Sequence, residues 1–335
     1  MALTAKVKKT INNGLRFIIA LLALWFIYRQ VSDPANVQAF TDSLSGRLDS
    51  SNFIALIIIA VLLMPINWSI EAYKWQLLIN FAERVSFKQA LMSVLSGITM
   101  SLFTPNRIGD FLGRLLTLKH ANPLKGAFLT IVGSISQLLT TLLMGMFALC
   151  FYIPYYHDIE HEIHLGGYIL IVVLLIVTAV VMVSMFLRVS RVAGLTRAFI
   201  RPGWQKVRGY LRIMRRLRRR LLLKVLVLSA VRYMIFSTQF YILLLAFGFS
   251  IPWFHAFILI SMTYFAMTAI PTIALVDLGI RGSVAMYFLG LYSVSNVNAT
   301  LAILAATTSV WVINLALPAV GGMLFIYRLK LIRKV

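Results

Sequence analysis

Two charged stretches interrupt the hydrophobic sequence of this chain: TPNRIGDFLGR at residues 104–114 and IPTIALVDLGIRGS at residues 270–283. Only ten of the 335 residues are acidic, yet Asp110 and Asp277 each lie in one of these stretches beside arginines. A charge near the centre of a membrane helix costs about 2.5–3.5 kcal/mol on insertion scales, so these charges need a compensating role. Two interrupted hydrophobic segments at corresponding places in two halves of a membrane protein indicate a substrate site where the halves meet.

The composition indicates the class of protein. Hydrophobic residues make up 60% of the chain, charged residues make up 13%, and the mean hydropathy is +0.88. These values lie outside the range of soluble globular domains and are typical of a polytopic membrane protein. We therefore predict an all-α integral membrane protein in which residues 1–335 form a single transmembrane domain. The predicted spans are 15–31, 53–70, 126–153, 166–187, 222–247 and 297–327.

The positive charge follows membrane topology. A net charge of +22 suggests nucleic-acid binding in a soluble protein, but 26 of the 32 Lys and Arg residues fall in the five segments 1–16, 72–89, 119–125, 188–224 and 328–334. If these segments are cytoplasmic, the positive-inside rule holds and both termini are cytoplasmic. Within the basic segment 188–224, the run Arg212–Lys224 contains no acidic residue. We expect this run to contact anionic lipid of the inner leaflet, and we expect no nucleic acid as a partner.

The segments between the spans have distinct patterns. Residues 72–89 mix Trp75 and Phe81 with Lys74 and Arg84, which predicts an amphipathic helix at the membrane interface. Residues 90–103 and 108–118 are too short to cross the membrane, so we predict a re-entrant helical hairpin broken at Pro105.

Residues 254–295 repeat this pattern from the other side of the membrane, with the break at Pro271, either as a re-entrant pair or as two tilted spans. The order helix, broken hairpin, helix then occurs in residues 53–153 and again in residues 222–327. Opposite entry sides make this order an inverted repeat.

The first stretch places charged side chains on one helix face. At about 100° per residue, Arg107, Asp110 and Arg114 lie within about 60° of one another on an α-helix. Two arginines and one aspartate give a net charge of +1, so a phosphate or carboxylate can bind the arginine that Asp110 leaves available. Gly109 and Gly113 form a GxxxG step that allows another backbone to approach closely. The structural alternative is a salt bridge that fixes the hairpin, or a charged cluster at the membrane interface.

The second stretch contains an analogous pair. Asp277 and Arg281 are spaced i, i+4 with the acid first, which is the favourable order on a helix. Pro271 suits a helix start, and Gly279 allows close packing. Because inverted repeats bring their broken segments together, we expect Asp277 and Asp110 to share one water-accessible cavity near the middle of the membrane. A neutral internal ion pair is the structural alternative.

A further arginine lies inside apolar sequence. Arg232 is roughly two to three turns into its predicted helix. It either pairs with a buried carboxylate, for which Asp110, Asp277 and Glu71 are the candidates, or extends to the membrane interface.

Other chemistry receives little support from the sequence. His157, His161 and His164 have helical spacing, but they lie in the twelve-residue loop 154–165, where solvated polar residues are the norm. No nucleophile elbow, phosphate-binding loop or zinc motif occurs. We therefore predict no metal, no cofactor and no enzymatic activity.

The two stretches resemble the paired motifs of a known family. PNRIGDFLGR at residues 105–114 and PTIALVDLGIRG at residues 271–282 are similar to the motifs of the flippase-like transmembrane family named for the membrane region of lysylphosphatidylglycerol synthases. The resemblance covers essentially the whole chain. It implies a protein of the bacterial inner (cytoplasmic) membrane that moves a lipid between leaflets. The chain ends at Val335, shortly after its last predicted helix, so we expect no soluble synthase domain and no aminoacylation of lipid.

The leading hypothesis is a lipid translocator. The substrate is a membrane phospholipid or a polyprenyl-phosphate-type lipid, whose anionic head group binds in a charged pocket between the two broken hairpins. The proposed substrate-binding residues are Arg107, Asp110, Arg114, Asp277, Arg281 and Arg232. The alternatives are a membrane-embedded transferase that acts on a lipid carrier, with Asp110 or Asp277 as base, and a non-transporting membrane partner subunit. The oligomeric state is open.

The topology is directly testable. In a Cys150→Ser background, we expect Tyr210→Cys to resist a membrane-impermeant maleimide in intact cells and to react after lysis, because residues 188–224 are predicted to be cytoplasmic. Asp158→Cys, in a predicted outer loop, is the matched control that reacts in intact cells. Labelling of residue 210 from outside intact cells contradicts this topology.

Overall fold

The computed structural model describes residues 50–102, 108–118, 122–156, 164–189, 217–270, 274–292 and 297–326, together with Thr104 and a few single positions before residue 50. For residues 123–124, 274–277, 297–298 and 326 it describes the backbone only. These residues form helices joined by short turns, and no strand occurs among them. The prediction of an all-α architecture is confirmed for this part of the chain.

The described helices follow one another with short connections. They are α1 (Ser51–Ile79), α2 (Phe87–Ser101), α3 (Ile108–Leu116), α4 (Pro123–Tyr156), α5 (Leu165–Leu187), α6 (Arg219–Ala246), α7 (Trp253–Ala269), α8 (Ala274–Gly290), α9 (Val297–Trp311) and α10 (Leu317–Ile326). A π-helical turn, Val312–Ala316, joins α9 to α10.

Five described segments are long and apolar enough to cross a membrane: Ser51–Ile79, Lys125–Tyr156, Leu165–Leu187, Arg219–Ala246 and Ala299–Phe325. They correspond to five of the predicted spans, so the chain is a multi-pass membrane protein. The remaining predicted span, 15–31, lies outside the described residues. So do residues 190–216, which form most of the basic segment 188–224.

The prediction of an interfacial helix over residues 72–89 is wrong. Helix α1 continues without a break to Ile79, and the side chains of Lys74 and Trp75 are buried in the bundle, with 1% and 2% of their surface exposed. The charge on Lys74 is tolerated there because Glu71, one turn earlier, is 2.8 Å away. Helix α2 begins only after a turn, at a capping box in which the Ser86 hydroxyl accepts the backbone N–H of Gln89.

Helices α2 and α3 form a close pair. They contain 15 and 9 residues, so they are about 22 and 14 Å long at 1.5 Å per residue. Both are shorter than the ~30 Å hydrocarbon core of a bilayer. A Cβ added to Gly113 would lie against the backbone of Gly97, and one added to Gly109 would overlap the Met100 carbonyl group. The predicted close approach at the GxxxG step is confirmed. Pro105 and Arg107, at the break between the two helices, lie outside the described residues.

Two apolar cores fill the bundle and meet at its middle. On α1, the first core ends at Ala60 and the second begins at Trp68. On α6, buried residues of the second core reach Val225 and those of the first begin at Tyr233. Arg232 therefore lies where the two cores meet.

The helices on either side pack in a crossed pattern. Helix α1 packs along α6, α2 packs on α10, and α7 packs on α4. Small residues bring both crossed pairs together: Gly322 of α10 faces the backbone of Leu95 in α2, and Gly145 of α4 faces the ring of Phe265 in α7. The first helix of each short-helix pair thus contacts the last long segment of the other half of the chain.

Two adjacent glycines in α10 test this packing. A Cβ on Gly322 would overlap the Leu95 carbonyl oxygen and the Thr99 hydroxyl, whereas a Cβ on Gly321 meets nothing within 4 Å. We predict that Gly322→Ala lowers the free energy of unfolding by about 1–3 kcal/mol through overpacking. Gly321→Ala is the control, and it should be neutral or stabilising by up to about 1 kcal/mol because alanine favours helix. Thermal unfolding in detergent measures both. Equal melting temperatures for the two variants contradict the close α2–α10 contact.

Candidate functional site

One buried carboxylate binds three cationic side chains. Glu71 on α1 accepts a hydrogen bond at Oε1 from Arg114 Nη1 of α3, at 2.9 Å. Its Oε2 accepts from Arg232 Nη1 of α6 at 2.9 Å and lies 2.8 Å from Lys74 Nζ. The exposed fraction of the Glu71 side chain is 6%. A carboxylate this deeply buried is stable only when opposite charges and hydrogen bonds compensate its lost hydration. The cluster of Glu71, Lys74, Asp110, Arg114 and Arg232 is called the charge cluster below.

Arg114 connects the carboxylate of Glu71 to a second one. Its Nε donates to Asp110 Oδ1 at 2.8 Å, and its Nη2 lies 2.7 Å from Asp110 Oδ2. This bidentate geometry fixes the guanidinium plane. Three cations and two carboxylates give the charge cluster a net charge of +1.

The members of the charge cluster differ in accessibility. The side chains of Asp110 and Arg232 are 20% and 16% exposed, whereas Arg114 is 7% exposed and Lys74 is 1% exposed. Asp110 and Arg232 are therefore the charged groups that a ligand can reach most directly.

Polar side chains hold Arg232 in position. Its Nε donates to Asn67 Oδ1 at 2.9 Å, and its Nη1 also lies 3.4 Å from Gln137 Oε1. The guanidinium carbon lies 4.8 Å from the ring centre of Trp68, which allows a cation–π interaction.

A buried chain of amides continues from Asn67 into the bundle. The Asn67 amide group donates to Asn314 Oδ1 at 3.4 Å, and Asn314 Nδ2 donates to Gln239 Oε1 at 2.7 Å. Gln239 in turn donates to the carbonyl oxygen of Ala60 at 2.6 Å. Asn314 lies in the π-helical turn, so this irregular turn presents an amide to the polar interior.

Lys74 has a separate, closed environment. Its ammonium group donates to the Ser229 hydroxyl at 3.3 Å, and Ser229 and Ser136 exchange a hydrogen bond of 2.8 Å. These contacts join α1, α4 and α6. Because Lys74 is enclosed on all sides, it compensates the charge of Glu71 and stabilises the bundle rather than meeting a ligand.

The charge cluster lies beside a cavity of about 690 Å³. Helices α1, α2, α3, α4 and α6, the π-helical turn and the end of α7 contribute to its wall. Its polar and charged lining residues are Glu71, Lys74, Ser101, Asp110, Arg114, Ser134, Gln137, Thr141, Arg232 and Thr268. The cavity is large enough for a lipid head group and mixes charge with apolar wall, as small-molecule sites do.

The cavity opens toward the side of the bundle. Ser134 and Leu138 of α4 line it and are exposed on the helix surface, as is Thr268 at the end of α7. In a membrane protein, such a surface faces the bilayer. A molecule can therefore enter the charged interior directly from the lipid.

The structure brings some predicted site residues together and separates another from them. Asp110, Arg114 and Arg232 all line the cavity, and Glu71 is the candidate partner that Arg232 uses. Arg281 lies on α8 near Tyr264, and it is not part of the described cavity wall.

The other predicted site residues are not described in the same detail. For Asp277, only the backbone is described, so its sharing of a cavity with Asp110 stays a prediction. Gly279 is exposed and has open space around its Cα, while Pro271 lies outside the described residues. His157 and His161 also lie outside them, and the described residues contain no group of three potential metal ligands.

Sequence reasoning missed Lys74, Asn67 and Gln137 as site residues and treated Glu71 only as a candidate partner. A signal was present, since Glu71 and Lys74 are spaced i, i+3 directly after the apolar run of 53–70. Asn67 and Gln137 are polar residues within predicted spans, where hydrogen-bonding side chains usually face the bundle interior.

The fold and the cavity define an α-helical, multi-pass membrane protein with a charged site inside its bundle. The family model for the lysylphosphatidylglycerol synthase TM region matches residues 14–317, and the chain belongs to this family. The resemblance drawn from the two charged stretches is confirmed. No curated protein and no solved structure matches the chain.

The coupling within the charge cluster is measurable. We predict that Glu71→Gln lowers the free energy of unfolding by about 3–5 kcal/mol, because it leaves buried cations without their carboxylate. Lys74→Met in the same chain should recover part of this loss, giving a coupling energy of about 0.5–3 kcal/mol in a double-mutant cycle. Denaturant unfolding in detergent provides the values. Strictly additive effects contradict a shared ionic network.

Proposed function

We propose that this protein translocates a phosphate-bearing lipid between the leaflets of the bacterial inner membrane. The head group enters the cavity from the side and binds beside Arg232, while the acyl chains stay in the bilayer. The observation that carries this proposal is the laterally open, charged cavity inside a bundle that is otherwise apolar. Charged groups inside a membrane protein usually belong to a substrate or ion pathway.

The charges of the cavity suit an anionic group. Lys74 and Arg114 balance Glu71 and Asp110, so the net positive charge remains for a ligand. Arg232 is partly exposed, and its contact with Gln137, at 3.4 Å, is the longest of its hydrogen bonds described above. A guanidinium in a low-dielectric cavity binds phosphate through directed, charge-assisted hydrogen bonds. A phosphate can therefore replace Gln137 without disturbing the bond to Glu71.

The crossed helix packing supports an inverted repeat. The order long, short, short, long occurs in α1 to α4, and again from α6 onward through α7 and α8 to the joined α9 and α10. The contacts of α2 with α10 and of α7 with α4 are equivalent under exchange of these halves. In such repeats the substrate site lies at the interface of the halves, and rocking of one half against the other exposes it to each side in turn. Asp110 from the first break region and Ile270 beside the second both line the cavity.

The basic residues support the orientation. Arg218, Arg219 and Arg220 are exposed at the start of α6, and Lys224 donates to the Tyr73 hydroxyl near the end of α1 at 2.8 Å. The basic end of α6 thus lies beside the end of α1. By the positive-inside rule we place this end in the cytoplasm, with anionic lipid of the inner leaflet around Arg212–Lys224.

Transport can be distinguished from lipid chemistry. We expect the purified protein to move labelled phosphatidylglycerol or a labelled polyprenyl phosphate between the leaflets of liposomes without changing its mass. A lipid product of altered mass supports the membrane-embedded transferase instead. Neither movement nor modification leaves the non-transporting partner subunit as the function.

Arg232 provides the sharpest test of the site. We predict that Arg232→Lys slows lipid movement about ten- to hundredfold, because the loss of a charge-assisted hydrogen bond costs about 1.5–3 kcal/mol. Arg219→Lys is the matched control: it lies on the same helix, is exposed, and keeps the charge that attracts the leaflet. Leaflet exchange in liposomes, at equal amounts of folded protein, gives both rates. Full activity of Arg232→Lys rules out a head-group role for its guanidinium.

A further inference from the structure

A second, apolar groove runs along the outside of α4. It has a volume of about 300 Å³ and lies between α4, which contributes Ile135, Leu139 and Leu142, and α5, which contributes Met182, Met185 and Phe186. All of its lining side chains are apolar. The groove is distinct from the charged cavity, and the head-group site has no use for it.

Helix α5 packs loosely at the edge of the bundle, which leaves the groove accessible from the bilayer. Its contacts are confined to α4 and α6 among the helices with which it packs most, and Phe186 is its one described residue that is fully buried. Leu170, Leu174 and Val177 on the same helix are more than half exposed, at 58%, 55% and 53%. Lipid therefore surrounds α5 on most sides.

The groove and the cavity share a wall. Leu138 lines both of them, and its side chain is 48% exposed. Its neighbours Gln137 and Thr141 on α4 face the cavity, whereas Ile135 and Leu142 face the groove. A single side chain on α4 thus separates the charged interior from an apolar channel on the bundle surface.

We infer that the groove binds one acyl chain of the same lipid whose head group occupies the cavity. This inference rests on the proposed function and adds a second subsite to it. The groove follows α4 from Val132 to Leu142, about 15 Å at 1.5 Å per residue. That is about half of the ~30 Å hydrocarbon thickness, and so about the length of one chain in one leaflet. Met182 and Met185 are flexible side chains that adapt to chains of different shape.

The dual contact has a functional consequence. In a bilayer, an apolar groove gains little from burial alone, because lipid tails outside it are equally apolar. Binding in the groove becomes specific only when the head group anchors the lipid on the other side of Leu138. The groove then guides one chain while the head group crosses the membrane interior.

Photocrosslinking tests this inference in the intact protein. The probe is phosphatidylglycerol with a photoreactive diazirine in its acyl chain, incorporated with the protein into nanodiscs, with crosslinked peptides identified by mass spectrometry. We expect strong crosslinks to α4 residues 135–142 and α5 residues 182–186. Arg232→Gln should reduce these crosslinks about tenfold while leaving crosslinks to the exposed face at Leu170 and Leu174 unchanged, because only the groove chain is anchored through the cavity.

The outcomes separate the groove from the proposed function. If Arg232→Gln abolishes lipid movement but leaves the groove crosslinks intact, the groove holds ordinary surrounding lipid and the inference fails while the translocator stands. If Arg232→Gln alters neither movement nor crosslinking, both fail.

A groove-filling variant gives an independent measurement that does not touch the charge cluster. Met182→Trp should slow the movement of long-chain phosphatidylglycerol about tenfold, equivalent to about 1.4 kcal/mol. Leu174→Trp, the same bulk on the exposed face of the same helix, should not. Equal rates for Met182→Trp, Leu174→Trp and the unmodified protein overturn the inference.

Discussion

The carboxylate of Glu71 is the interaction on which the interior of this protein depends. It binds Arg114 of α3, Arg232 of α6 and Lys74 of its own helix within 2.9 Å. Burying any one of these ions alone costs several kcal/mol, and the cost is offset only because each charge faces another. The same carboxylate fixes the short helix α3 against two long helices. Charge compensation and helix arrangement are therefore one constraint, and neither can change without the other.

This constraint explains why a polar site exists where two apolar cores meet. The cores pack separately above and below the level of Asn67 and Arg232, and the amide chain through Asn314 and Gln239 satisfies the polar groups between them. In the proposed mechanism the charges are held by one another before a lipid arrives, so a phosphate meets an oriented guanidinium rather than a mobile one. Preorganised charge of this kind costs little reorganisation when the ligand binds.

Much of the fold could be predicted from the sequence, because long apolar runs leave a membrane helix few alternatives. The i, i+4 pair of Asp110 and Arg114, the close approach at Gly109 and Gly113, and the class of partner for Arg232 all followed from helical spacing. Lys74 could not be placed correctly, because a lysine near the end of a span equally suits an interface. Its burial depends on Ser229 and on Glu71 in their folded positions, which no local pattern reveals.

The location of Arg281 shows a second limit of sequence reasoning. The repeated pattern of residues 270–283 suggested the same pocket as residues 104–114, yet Arg281 lies beside Tyr264 rather than in the described cavity wall. Similar motifs in two halves predict similar local structure. Which side chains then converge depends on how far each half is rotated toward one side of the membrane, and this is a property of the whole bundle.

A structure of the protein in nanodiscs of native lipid, determined by electron cryomicroscopy, tests the central claim most directly. We predict a lipid phosphate within hydrogen-bonding distance of the Arg232 guanidinium, inside the cavity and on the side where Ser134 is exposed, with the bond between Arg232 and Glu71 intact. Lipid phosphates found only at the two membrane surfaces, with the cavity closed by protein side chains, would contradict the assignment of the charge cluster as a head-group site.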